Sequence, residues 1–301
     1  RAMPVIRINA HHHRPPGRLL QMARALPPGQ PIVAMIHGYR YSPSSPAHDP
    51  HRHILSLDPE PALHRSLSWP RALGFAGGAQ DEGLALAIGW EARGRLSDAY
   101  ARAADAGRGL AGLLSDVAEA ADRPVAVICH SLGARVALQA LHHANPGSIG
   151  RTILLAGAEF RDAAADAIAS PAGQRAEIIN VTSRENDLFD FGIELWLARG
   201  RRRALGFGLD RPARNWVDLQ IDCGQNLKAL DMLGFPVEWD PLRLSHWTPY
   251  LRRGLFDFYR TALRQPWALP LPMLKTRLPG APQPRWSRLL ARPTRLRGMG
   301  A

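Results

Sequence analysis

The sequence predicts the α/β class: a mostly parallel central sheet with helices on both faces and loop or cap excursions at the carboxyl ends of strands. Three observations carry that expectation. Short apolar runs rich in valine, isoleucine and leucine recur at 31–36, 84–90, 124–128, 152–156 and 177–182, and runs of this kind bounded by turn residues suit strands buried on both faces. Stretches of helical period lie between them, at 97–121, 134–143 and 162–169, and the alternation of strand with helix implies parallel pairing. With 301 residues of 46% hydrophobic composition, the chain can bury one large core, so a single domain over residues 1–265 is expected, followed by a Pro/Arg-rich arm over 266–301.

Taken in order, residues 4–9 read as a first strand, and His11, His12 and His13 with two prolines read as a loop. Three adjacent histidines cannot all converge on one ion. The strand 31–36 ends in His37-Gly38-Tyr39. Residues 40–80, rich in proline, histidine and serine, have little periodicity and read as an excursion over one end of the sheet. Within it His48, Asp49, His51 and His53 have a ligand-like spacing, but no second cluster accompanies them and a solvated loop is the expectation. The helix at 97–121 takes Ser97 as its cap and buries Tyr100, Ala104, Leu110, Leu113, Leu114 and Val117. Residues 191–205 read as a helix carrying Ile193, Trp196 and Leu197 and then Arg199, Arg201, Arg202 and Arg203. Packing on the sheet is its first reading; a lid or membrane-surface role is the second. A further helix is expected at 249–263, a second pocket-forming excursion at 191–240, and an extended or partly disordered arm from Gln265.

Charge and cysteine usage narrow the function classes. The net charge is +12, yet only Lys228 and Lys275 are lysines and the arginines are scattered without interleaved aromatics, so no nucleic-acid partner is expected. Cys129 and Cys223 make no disulfide framework, which points to a reducing, cytoplasmic setting. No apolar run reaches the length of a membrane span and no signal-peptide core opens the chain. Residue 1 is not Met, which leaves a removed leader open.

The chemistry concentrates at Cys129-His130-Ser131-Leu132-Gly133, between the strand 124–128 and the helix 134–143. A serine on a sharp strand-to-helix turn has its hydroxyl thrust above the sheet, with the next backbone N–H and the positive helix end aimed at the same point. This is the nucleophile-elbow pattern G-x-S-x-G with Cys129 in place of its first glycine. A serine hydroxyl needs a histidine to take its proton and a carboxylate to orient that histidine. His246, in Leu244-Ser245-His246-Trp247, is the only histidine after residue 143. Asp187, just beyond the strand 177–182, is the candidate acid, with Asp190 the alternative. The N–H groups of Leu132 and Tyr39 are the candidate oxyanion donors.

On these residues the chain resembles the α/β-hydrolase superfamily, and within it bacterial serine-esterase-like or lipase-like hydrolases of unknown function. Trp90, Tyr100, the run Cys129 to Val136, the segment with Asp187 and Ser245-His246-Trp247 carry the likeness, over roughly residues 30–265. The resemblance implies an α/β-hydrolase fold and hydrolysis of an ester or thioester through an acyl-enzyme, with no metal or organic cofactor and a small-molecule or lipid-like substrate. Acyl transfer by the same triad, and a non-catalytic scaffold on the same fold, are the alternatives.

Overall fold

A computed structural model of the protein describes residues 5–10, 17–60, 67–76, 82–239 and 244–278. Seven described strands form one sheet: β1 (Val5–Asn9), β2 (Ile32–Ile36), β3 (Leu84–Gly89), β4 (Val125–His130), β5 (Ile149–Leu155), β6 (Glu177–Thr182) and β7 (Trp216–Gln220). All pair in parallel, in the order β1-β3-β2-β4-β5-β6-β7. The chain winds back from β2 to β3, then crosses to β4 on the other side of β2 and continues outward. The crevice at such a reversal, beyond the carboxyl ends of the strands, is where open α/β sheets hold ligands.

The helices are α1 (Gly17–Arg24), α2 (Trp69–Ala72), α3 (Leu96–Ala121), α4 (Gly133–His143), α5 (Arg161–Ala169), α6 (Asp187–Ala198), α7 (Gly224–Met232), α8 (Thr248–Leu251), α9 (Leu255–Arg264) and α10 (Leu271–Arg277). Alternate strand residues feed two apolar layers, as a period of two requires. Ile36, Ile88, Val127 and Leu154 pack with Leu114 of α3, Val136 of α4 and Ile168 of α5. Met35, Ile128, Ile153 and Val181 pack on the opposite face with Trp69, Leu230, Phe258 and Leu274. No described helix is long and apolar enough to cross a membrane.

Several expectations are corrected. Helix α3 begins at Leu96 with Arg95 before it, so Ser97 lies inside the first turn and bonds Asp98 rather than capping. The helix expected at 191–205 runs from Asp187 to Ala198 and stops where Arg199 turns left-handed at φ 50°. The helix expected at 249–263 is two helices, broken where Gly254 takes φ +90°. Strand β7 was not anticipated, because Asp218 interrupts its apolar run; its carboxylate is bound by the Asn180 amide and the Trp216 indole, 2.8 and 2.9 Å away.

The reading of 48–53 as a solvated loop also changes. His51 is buried with Nε2 3.1 Å from Asn9 Oδ1, and His53 Nδ1 lies 2.6 Å from the Tyr41 hydroxyl. The described residues contain no group of side chains arranged to hold a metal ion. The triplet at His11 and most of the expected arm, 279–301, lie outside the described residues. Where the arm is described, α10 buries Leu271 and Leu274 against the second layer, so packed structure continues past Gln265.

Leu274→Ala is therefore expected to destabilise the fold by about 2–5 kcal/mol, as loss of a buried leucine does. Trp267→Ala, at a side chain 67% exposed, should stay within about 0.5 kcal/mol. Urea unfolding of the two variants checks the contrast.

Candidate active site

Strand β4 delivers Ser131 at φ 54°, the left-handed region that L-residues avoid. Hydrogen bonds hold it there: Ser131 N–H donates to Leu155 O at 3.0 Å, and Ser131 O accepts from Ala134 N–H at 3.0 Å and Ala158 N–H at 2.9 Å. The neighbouring glycines make the close approach possible. A Cβ on Gly38 would stand 2.7 Å from Ser131 Cβ, and one on Gly133 would stand 2.7 Å from His37 O. Cys129, at the position the elbow pattern gives to glycine, fits without a clash: it is fully buried and its Sγ faces Ile153 O at 3.5 Å.

The loop after β2 is set by His37. Trp90 N–H donates to His37 Nε2 at 3.0 Å, so the ring proton sits on Nδ1 and donates to Gly38 O at 2.9 Å. The Trp90 indole donates to His37 O at 3.0 Å, and the two rings lie nearly parallel with centroids 5.6 Å apart. Burial, aided by His51 and His130, lowers the His37 pKa to about 3, which keeps the ring neutral and able to accept. Among the described residues, the N–H groups of Tyr39 and Leu132 donate to no backbone carbonyl.

His246 stands on the loop before α8. Its Nδ1 lies 2.5 Å from Asn186 Oδ1, one residue before the candidate acid Asp187. Asn186 Nδ2 donates to Asp190 Oδ1 at 3.0 Å, which fixes the amide orientation and places the His246 proton on Nδ1, leaving Nε2 with its lone pair. Ser183 caps a short turn at Arg184–Asn186, so Asn186 and Asp190, four apart, share one helix face. Asp187 is buried at the first position of α6. Asn186 carries no charge and so lacks the mark of a triad acid in the sequence; its spacing of four to Asp190 is the signal available there.

Several contacts desolvate and fix the histidine. Phe189 stacks on it with centroids 4.7 Å apart, and His130 Nε2 donates to its backbone carbonyl at 2.8 Å. Burial, with His130 beside it, holds the His246 pKa well below the usual imidazole value. Burial lowers His130 to about 4 as well. Asp190 is pushed the other way: burial, then the nearby Asp187 and Glu194 charges, raise its carboxyl well above the ordinary range. Its Oδ2 faces Gly206 and has no hydrogen-bond partner.

A buried ion pair clamps the histidine loop to the end of β6. Arg252 meets Glu185 Oε1 at 2.7 Å, with both side chains almost fully buried. Arg252 also donates to Ile221 O, the Thr248 hydroxyl donates to Glu185 Oε2, and Ser245 N–H donates to Glu185 O at 3.0 Å. The result is one cavity of about 570 Å³ whose wall includes Ser131, Leu132, Tyr39, Asn186, Asp190 and His246. No family model, curated protein or solved structure matches the chain.

Removing one partner of the clamp is expected to cost about 3–5 kcal/mol, because the other charge stays buried and unpaired. Glu185→Ala should show this in urea unfolding, and the paired change Glu185→Leu with Arg252→Met should recover most of the loss. Asp190 makes a pH prediction with the opposite sign to an ordinary carboxylate. The unfolded chain ionises this group near the usual value while the folded chain does not, so its contribution to stability falls as pH rises through that window. Asp190→Asn should raise the melting temperature more at pH 8 than at pH 4; an equal shift at both would contradict the raised pKa.

Proposed function

We propose that the protein is a serine hydrolase of carboxylic esters or thioesters, with Ser131 as nucleophile and His246 as its base. The observation that carries this reading is the convergence, in one cavity wall, of a left-handed Ser131, a desolvated histidine with its Nε2 lone pair left over, and two N–H groups spent on no backbone carbonyl.

In this scheme His246 Nε2 takes the proton as Ser131 Oγ attacks the acyl carbonyl, and the tetrahedral oxyanion lies against the N–H groups of Leu132 and Tyr39. Collapse breaks the ester C–O bond and the leaving alkoxide takes the proton back from Nε2. A water then repeats the cycle, giving its proton to His246 and its oxygen to the acyl group, and Ser131 is released with the free acid. Asn186 holds the Nδ1–H tautomer throughout. The oxyanion donors and the dipole at the start of α4 stabilise the charge that develops on the substrate, and Asp187, buried next to Asn186 at the start of α6, is the candidate carboxylate for the imidazolium.

Turnover of p-nitrophenyl butyrate tests the reading. Ser131→Ala and His246→Ala should each lower kcat by at least about a thousandfold, the range seen when nucleophile or base is removed. Asn186→Ala should cost about 10- to 100-fold, the worth of one strong hydrogen bond to a charged ring. Because the free enzyme needs neutral His246, kcat/KM should hold steady down through neutral pH and fall only below the ordinary imidazole pKa. Asn186→Asp should move that limb upward, since a carboxylate favours the protonated ring. Activity that survives Ser131→Ala would end the proposal.

A further inference from the structure

The cavity has two unlike walls. One is apolar and comes from α6 and its surroundings: Leu188, Phe189, Ile193 and Trp196, with Leu96 opposite. Trp196 is 74% exposed and Leu188 48%, an unusual display of large apolar side chains along a cavity that opens to solvent. The other wall comes from the excursion after β2, which contributes Arg40, Tyr41, His48 and His53.

Arg40 is the one permanent cation among the described residues of the wall. The chain holds it at φ 75°, in the left-handed region, with its N–H tied to Ala92 O at 2.9 Å. No described carboxylate pairs with its guanidinium, whereas other arginines of the fold are matched, such as Arg135 with Glu159 and Arg203 with Glu194. The only carboxylate among the described residues of the wall is Asp190, whose carboxyl burial pushes well above the ordinary range. The cavity therefore offers an apolar trough and one unmatched positive charge, and a volume of about 570 Å³ sits within the range of pockets that enclose small organic ligands.

We propose that the substrate is an anionic amphiphile, its apolar chain lying along the Leu188, Ile193 and Trp196 face of α6 and its phosphate or carboxylate group held by Arg40. This rests on the hydrolase reading for its chemistry, but not for its binding. An arginine fork suits either oxyanion, and a chain in a trough of this kind gains about fourfold in affinity per buried methylene.

The test uses ligands with no ester bond, so it stands whether or not Ser131 is nucleophilic. Dodecyl phosphate, dodecanoate and the neutral dodecyl maltoside are titrated calorimetrically below their micelle concentrations into the parent protein, Arg40→Gln and Trp196→Ala. At least one anionic ligand should bind the parent about tenfold or more tighter than the maltoside. Arg40→Gln should bring that ratio close to one with maltoside affinity unchanged. Trp196→Ala should weaken dodecyl phosphate more than octyl phosphate. Tighter binding of dodecyl phosphate than of dodecanoate would name phosphate as the headgroup, and the reverse would name carboxylate. Equal affinity for charged and neutral ligands, binding of none of them, or a ratio that survives Arg40→Gln would overturn the proposal. Absence of esterase activity from the parent protein, or activity that survives Ser131→Ala, with this binding pattern intact would instead overturn the hydrolase reading alone.

Discussion

The site depends on how closely the end of β2 approaches the start of α4. Gly38 lies so near Ser131, and Gly133 so near the carbonyls of Ile36 and His37, that any Cβ would force the two segments apart. That contact lets Ser131 occupy a left-handed turn, at a cost of order 1–2 kcal/mol, with its main chain bonded to β5 and to Ala134 and Ala158. It also brings the N–H groups of Tyr39 and Leu132 to the same cavity wall. Strain at one residue is tolerable because the surrounding hydrogen bonds leave it no other arrangement. His37 extends the same constraint outward, since its neutral ring ties Gly38 to Trp90 at the end of β3.

The histidine is held by a separate device. His246 sits on a loop, and loops are the mobile part of a fold, yet this one is fastened to the end of β6 by Glu185, Arg252 and Thr248 and to β4 by His130. The same contacts strip water from the ring, so its base strength is set by desolvation. Asn186 orients the ring and Asp190 orients Asn186. Burial of this kind disfavours the protonated ring.

Much of this was legible where the signal is local. Six of the seven described strands are legible, β1 over residues 4–9 and five more as apolar runs between turn residues, and Ser131 is conspicuous because strand, serine, glycine and helix follow within a few positions. Tyr39 and Leu132 lie just past strand ends and line the same cavity as Ser131. What could not be read depends on partners distant in sequence. The link from Glu185 to Arg252 spans 67 positions, and nothing in either segment marks it. Asn186 carries no charge to draw attention beside Asp187 and Asp190. Strand β7 is hidden by Asp218, whose partners come from β6 and its own strand, and α10 is hidden because prolines and arginines mask the spacing of Leu271, Leu274 and Leu278. The burial of His51 is invisible in the sequence because only the folded chain brings Asn9 to it.

The central claim is that the elbow activates Ser131, and a fluorophosphonate probe tests it most directly by forming a stable adduct only with an activated hydroxyl. Mass spectrometry of the labelled peptide should place one adduct on Ser131 in the parent protein, with the label lost in Ser131→Ala and strongly slowed in His246→Ala. A folded parent that takes no label, or takes it at another serine, would contradict the account.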